Sequence, residues 1–186
     1  REWTDSGGTQ YGIYILTADG TNATQIYHEA GIEVHRPDWR VDGRIAFVRV
    51  ETSPSAEDIL LVNTDGTEVV NLTSGLSTDV HDWPHSSPDG AHILFQATVS
   101  GFDHIFRMAS DGTQVVQLTS GSHNNINPVW SPDGHQIRFV TDRTGTLDIY
   151  QMNRDGTEVE NYPDSSGGVN REMTWRRLPV DVTGWT

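Results

Sequence analysis

Apolar and polar residues alternate in short runs along this chain. Ile45 and Phe47, Ile93 and Phe95, and Ile137 and Phe139 each flank one intervening position, held by Ala46, Leu94 and Arg138. A period of two puts successive side chains on opposite faces, so these runs predict strands. One complete set covers residues 34–39, 45–50, 58–63 and 69–72, with turns at Val41-Asp42-Gly43 and Asp65-Gly66. Residues 93–95, 104–108, 127–130, 136–141 and 148–153 repeat the pattern downstream. Near the start, Tyr11, Ile13 and Ile15 predict a strand over 11–17, followed by a short one over 24–28. Residues 1–10 read as loop. Residues 51–57, with Ser53-Pro54-Ser55, read as the longest inter-strand loop.

The strands recur with a fixed period. Asp-Gly-Thr begins at Asp19, Asp65, Asp111 and Asp155, in steps of 46, 46 and 44 residues. A tryptophan ends the first strand of a unit at Trp39, Trp130 and Trp175, and Ser86 fills the same slot in the second unit. Four strands per repeat of this length predict an all-β propeller of four four-stranded blades in a single domain over residues 1–186. The three tryptophans are expected to wedge between adjacent blades near the axis, as structural residues. The Asp-Gly pairs suit tight hairpins that need positive φ, and they lack the further oxygen ligands a calcium loop requires.

The ends of the chain are complementary in phase. Residues 11–28 supply the third and fourth strands of a repeat, and residues 171–184 supply a first and second. The expectation is a fourth blade shared between the termini, which closes the ring and removes exposed edges. A closed ring would be a monomer; otherwise a homo-oligomer is expected, as for a fragment of a longer propeller that assembles with itself.

Composition narrows the function. Formal charge is −14, and all 12 basic residues are arginine. That argues against nucleic acid, whose phosphates need a basic surface, and excludes a lysine nucleophile or base. There is no cysteine, so disulfides and thiolate sites are excluded. No apolar run approaches the length of a membrane span, so no membrane insertion is expected. No Gly-x-Ser-x-Gly elbow or paired-histidine zinc motif occurs, and Ser87 and Ser131 belong to turns.

The third repeat carries Pro128, Trp130-Ser131-Pro132-Asp133-Gly134, Ile137, Phe139, Asp148-Ile149-Tyr150, Met152-Asn153 and Asp155-Gly156. The second repeats it with Ser86 for tryptophan and ends in Gln117-Leu118-Thr119. The first has Arg40-Val41 in place of Ser-Pro, and the fourth loses its turn at Arg176-Arg177-Leu178-Pro179. At these residues the chain resembles the TolB-like β-propeller repeat family. The resemblance implies the propeller fold and a periplasmic or extracellular location. Such repeats occur in periplasmic interaction proteins, in propellers attached to peptidases and in oligogalacturonate lyases. Members usually have six or seven blades, so four repeats depart from the pattern.

The segments just before the tryptophan slot line the channel mouth of a propeller. Here they supply His35, Arg36, His81, Asp82, Asn125, Asn127 and Arg171 as candidate ligand-binding residues. His35, His81 and Asp82 are the candidates for a divalent metal, the one cofactor expected if any is used. Arg36 and Arg171 suit a carboxylate, although Arg36 can instead pair with Asp38 or Glu33. His28, His92, His104, His123 and His135 read as surface positions, and His85 as pointing across its strand. Two function classes follow. One is a non-catalytic scaffold that binds a protein partner or a small polar, sugar-like ligand. The other is a metal-assisted polysaccharide lyase with His81 or His35 as base and Arg171 on the substrate carboxylate.

Overall fold

The computed structural model describes residues 2–5, 8–52, 55–78 and 81–162. All regular structure among them is strand, in four consecutive antiparallel sheets. The first sheet holds β1 (Glu2–Asp5), β2 (Gly8–Leu16) and β3 (Ala23–His28). The second holds β4 (Glu33–Trp39), β5 (Ile45–Thr52), β6 (Ser55–Val62) and β7 (Val70–Asn71). The third holds β8 (His81–Ser86), β9 (His92–Val99), β10 (Phe102–Ala109) and β11 (Val116–Gln117). The fourth holds β12 (Asn125–Trp130), β13 (Gln136–Thr141), β14 (Asp148–Asn153) and β15 (Glu160–Asn161). Strands follow one another in chain order within each sheet, as in propeller blades. β4, β8 and β12 hold the same end position, and each contacts the sheet before it.

Alternation is what stacks the sheets. Phe47 and Ile45 face the first sheet, where they meet Ile13 and Ile26. On the other face of the same sheet, Ala46, Ile59 and Leu61 meet Ile93 and Phe95 of the third. Leu94 and Ile105 then meet Trp130, Ile137 and Phe139 of the fourth. Each interior sheet is therefore buried on both sides, and each large apolar side chain so buried contributes about 1.5–3 kcal/mol.

The turns explain the repeated motifs. In Asp-Gly-Thr the aspartate Oδ1 accepts both the backbone N–H and the hydroxyl of the threonine two residues on, as in Asp65 with Thr67 at 3.0 and 2.6 Å. Asp111 and Asp155 repeat the geometry with Thr113 and Thr157. These carboxylates are engaged in turn chemistry. The central glycines have a second role: a Cβ on Gly112 would lie 2.7 Å from the Leu72 carbonyl oxygen of the preceding sheet, and one on Gly66 would lie 2.8 Å from that of Ile26. The Leu-Thr pairs close the outer edge, since Thr73 and Thr119 hydroxyls accept the N–H groups of Ile59 and Ile105.

Three expectations change. Residues 2–5 are strand, pairing Glu2 with Tyr11 and Asp5 with Gly8. They are mostly polar, so alternation did not mark them. The expected loop over 51–57 is a hairpin whose pairing continues to Thr52 and Ser55. Trp39 does not wedge between sheets. It is 60% exposed, whereas Trp130 is 2% exposed and donates its indole N–H to the His85 carbonyl on β8 at 3.1 Å. Among the described residues the first sheet has no strand in the position that β8 holds, so Trp39 lacks the corresponding wall. Trp175, Arg171 and the strands expected over 171–184 lie outside the described residues.

The slot held by Ser86 is filled from the sheet before it. Arg40, almost fully buried, reaches Ser86 Oγ at 3.3 Å and the Gly90 carbonyl at 3.2 Å, with Asp42 as its counter-ion at 3.1 Å. The two departures from the repeat, Arg40 and Ser86, thus compensate each other.

Candidate ligand site at the channel mouth

Each of β4, β8 and β12 carries the same irregularity. Register shifts between His35 and Asp38, between Asp82 and His85, and between Ile126 and Val129. At the centre of each bulge a non-glycine residue precedes proline at positive φ: Arg36 at 52°, Trp83 at 53° and Asn127 at 54°. Such conformations cost about 1–3 kcal/mol each and persist where the surrounding structure enforces them. A bulge re-aims the side chain it carries. Here it sends Arg36 across to the next sheet, where its Nε donates to Asp82 Oδ1 at 2.5 Å and its guanidinium stacks 3.9 Å over Trp83.

The bulge also sorts the candidate residues by position. Val34, His81 and Asn125 hold one place in their strands and are buried. His81 Nδ1–H donates to the Glu57 carbonyl at 2.8 Å, and Nε2 pairs with the Thr78 hydroxyl at 2.6 Å. Both ring nitrogens are committed. The Asn125 amide pairs with His104 Nδ1 at 3.2 Å and its oxygen accepts from Arg143 at 3.0 Å. Asn127 is buried, and its backbone N–H donates to Gln96.

His35 and Asp82 hold the next place and come together, joined by Glu57 from the start of β6. One ligand-type atom from each of the three lies within 4.8 Å of the other two. Asp82 is 6% exposed and also accepts the Trp83 N–H at 2.7 Å. Burial pushes the His35 imidazole below its ordinary pKa, partly offset by Asp82. Burial and the neighbouring Asp82 charge push the Glu57 carboxyl up. The arrangement offers a neutral imidazole, two carboxylates and a guanidinium at one place.

Arg36 and Trp83 also line a cavity of about 640 Å3, walled by the bulge prolines and by Asp38, His85 and Trp130. Glu57 was not visible as a site residue in the sequence. It lies 22 residues after His35, and only the pairing of Glu57 with Val50 brings it to this end. Of the other histidines, His28 and His135 are exposed, His92 and His123 are half-buried, and His104 is buried. His85 is half-buried, and its Nδ1 accepts the Trp130 N–H. Among the described residues no helix is long and apolar enough to cross a membrane.

A family model described as the TolB beta propeller domain matches residues 2–176. Among solved structures, TolB from Acinetobacter baumannii aligns with a TM-score of 0.64 and 26% identity over 80% of this chain and 36% of its own. A putative TolB from Agrobacterium tumefaciens aligns with a TM-score of 0.55 and 21% identity, covering 84% of this chain and 70% of its own. An oligogalacturonate lyase solved in complex with manganese aligns with a TM-score of 0.63 and 19% identity, covering 84% of this chain and 44% of its own. The last two likenesses show the fold alone. The chain spans about a third of the length of the Acinetobacter protein. No curated protein sequence matches it significantly.

Proposed function

Because the chain belongs to the TolB β-propeller domain family, we propose that it is a non-catalytic binding scaffold whose ligand sits at the channel mouth. The observation that carries this reading is the bulge shared by β4, β8 and β12. Packing alone gives no reason to hold Arg36, Trp83 and Asn127 at positive φ before proline in three successive sheets. Strained, polar and aromatic positions on a rigid frame are where binding groups are commonly held. The ligand is a protein segment or a small polar, sugar-like molecule. His35, Arg36, Asp82 and Trp83 meet it, with Arg171 as a further expected contact. His81, Asn125 and Asn127 support the mouth from beneath.

The same reading makes the location periplasmic or extracellular, in keeping with the family resemblance. It also has a strand from residues 171–184 complete the first sheet beyond β1, whose far side is the sheet's open inner edge among the described residues, giving a four-bladed ring that is monomeric in solution. If that ring stays open, sedimentation will show a homo-oligomer instead.

The test is a panel of acidic oligosaccharides and polar peptides titrated into isotope-labelled protein, with amide shifts mapped by NMR. Shifts should cluster at residues 33–36, 55–58 and 81–84, and the saccharides should be recovered intact. Cleavage products would make the protein an enzyme, and shifts confined to β7, β11 and β15 would put the ligand elsewhere.

A further inference from the structure

We infer that His35, Glu57 and Asp82 form a binding site for a divalent transition-metal ion, with Arg36 as the competing cation. The three residues come from β4, β6 and β8, so two sheets must pack before the site exists. Their ligand atoms already lie within 4.8 Å of one another. Around an ion with bonds of about 2.0–2.2 Å the ligand atoms stand roughly 3–3.5 Å apart, so rotamer adjustments close the remaining distance. The His35 and Glu57 side chains have no hydrogen-bond partner among the described residues. Asp82 uses Oδ1 for both the Arg36 and Trp83 donors, which leaves Oδ2 for an ion.

The ligand set selects the class of ion. One imidazole nitrogen and two carboxylate oxygens suit zinc, manganese or cobalt, while calcium and magnesium prefer all-oxygen shells. Three protein ligands leave coordination positions open, so a bound ion would present itself to whatever occupies the mouth. Arg36 now supplies the positive charge beside Asp82. A metal ion in the site weakens that pair by repulsion and releases the guanidinium toward the cavity that Arg36 lines.

This inference rests on the mouth being the functional end, yet its probe is the metal ion alone. Zinc titrated into the full chain by calorimetry should bind one ion per chain, and cobalt should give visible absorption of a nitrogen–oxygen site. Glu57→Gln keeps the side-chain shape and should weaken zinc by about 10–100-fold, at least the loss seen for an outer-shell partner. His35→Ala should do the same and remove the cobalt spectrum's nitrogen signature. Arg36→Ala should tighten zinc. Equal affinity in the parent and both ligand variants would place the ion on other histidines and overturn the inference. Absence of any saturable zinc binding would also overturn it. If the saccharide and peptide shifts at the mouth then persist, the binding reading stands without the metal.

Discussion

The Arg36 guanidinium lies 3.9 Å over the Trp83 ring, so residues at the same bulge position in neighbouring sheets touch each other directly. The contact ties two repeats together at the mouth, beside the Arg36–Asp82 ion pair and the Ser86 N–H that donates to Asp38. A double-mutant cycle with Arg36→Ala and Trp83→Ala should return a coupling of about 0.5–1 kcal/mol in denaturant unfolding. Additive effects would mean that the stacking contributes nothing to stability.

Trp130 and Trp39 occupy equivalent slots but different environments. Trp130→Ala removes a buried wedge packed on Leu94 and Ile105 and should cost about 3–5 kcal/mol. Trp39→Ala should approach that loss if residues 171–184 fill the inner place of the first sheet, and should cost only about 0.5 kcal/mol, as for other exposed positions, if that place is empty. Equal losses at the two sites would show that Trp39 is covered in solution.

Much of this was legible in the chain. The alternation at Ile45, Phe47, Ile93 and Phe95 gave the strands, and the Asp-Gly-Thr spacing gave the number of sheets, because both depend on neighbouring residues. What escaped depends on pairing. His35 and His81 look equivalent as residues before a tryptophan slot, but they differ by one position relative to the bulge, and one position turns a side chain to the other face. Glu57 reaches the mouth through a ladder partner. Arg36 chose Asp82, 46 residues away, over Asp38 and Glu33. Arg40 and Ser86 each looked like a local loss of the motif, and only their contact shows one compensating for the other.

That compensation is testable. Arg40→Ser restores the usual turn residue but empties the slot beside Ser86, and should cost about 1.5–3 kcal/mol through lost charged hydrogen bonds. Adding Ser86→Trp to it should recover part of the loss by refilling the slot. A double variant as unstable as the sum of its parts would contradict the pairing.

Acid sensitivity should trace in part to Glu29. Hydrogen bonds from Arg49, then Tyr27, lower its pKa from 4.5 to about 2. A carboxylate with a depressed folded pKa contributes stability that is fully present above its unfolded value and lost as pH falls through the folded one. The contribution should therefore fade between pH 4.5 and about 2. Glu29→Gln should flatten the melting-temperature profile in that window and leave its slope unchanged near neutrality. An unchanged acid slope would assign the sensitivity to other carboxylates.

The claim that the bulge residues form the ligand seat is tested most directly by the affinity of the panel member that shifts the mouth amides. It should be measured calorimetrically on the parent, on Arg36→Ala/Trp83→Ala and on the outer-edge control Val116→Ser. Binding should fall by at least about tenfold, or 1.4 kcal/mol, in the mouth variant and stay unchanged in the control. Full affinity in a folded mouth variant would contradict the claim.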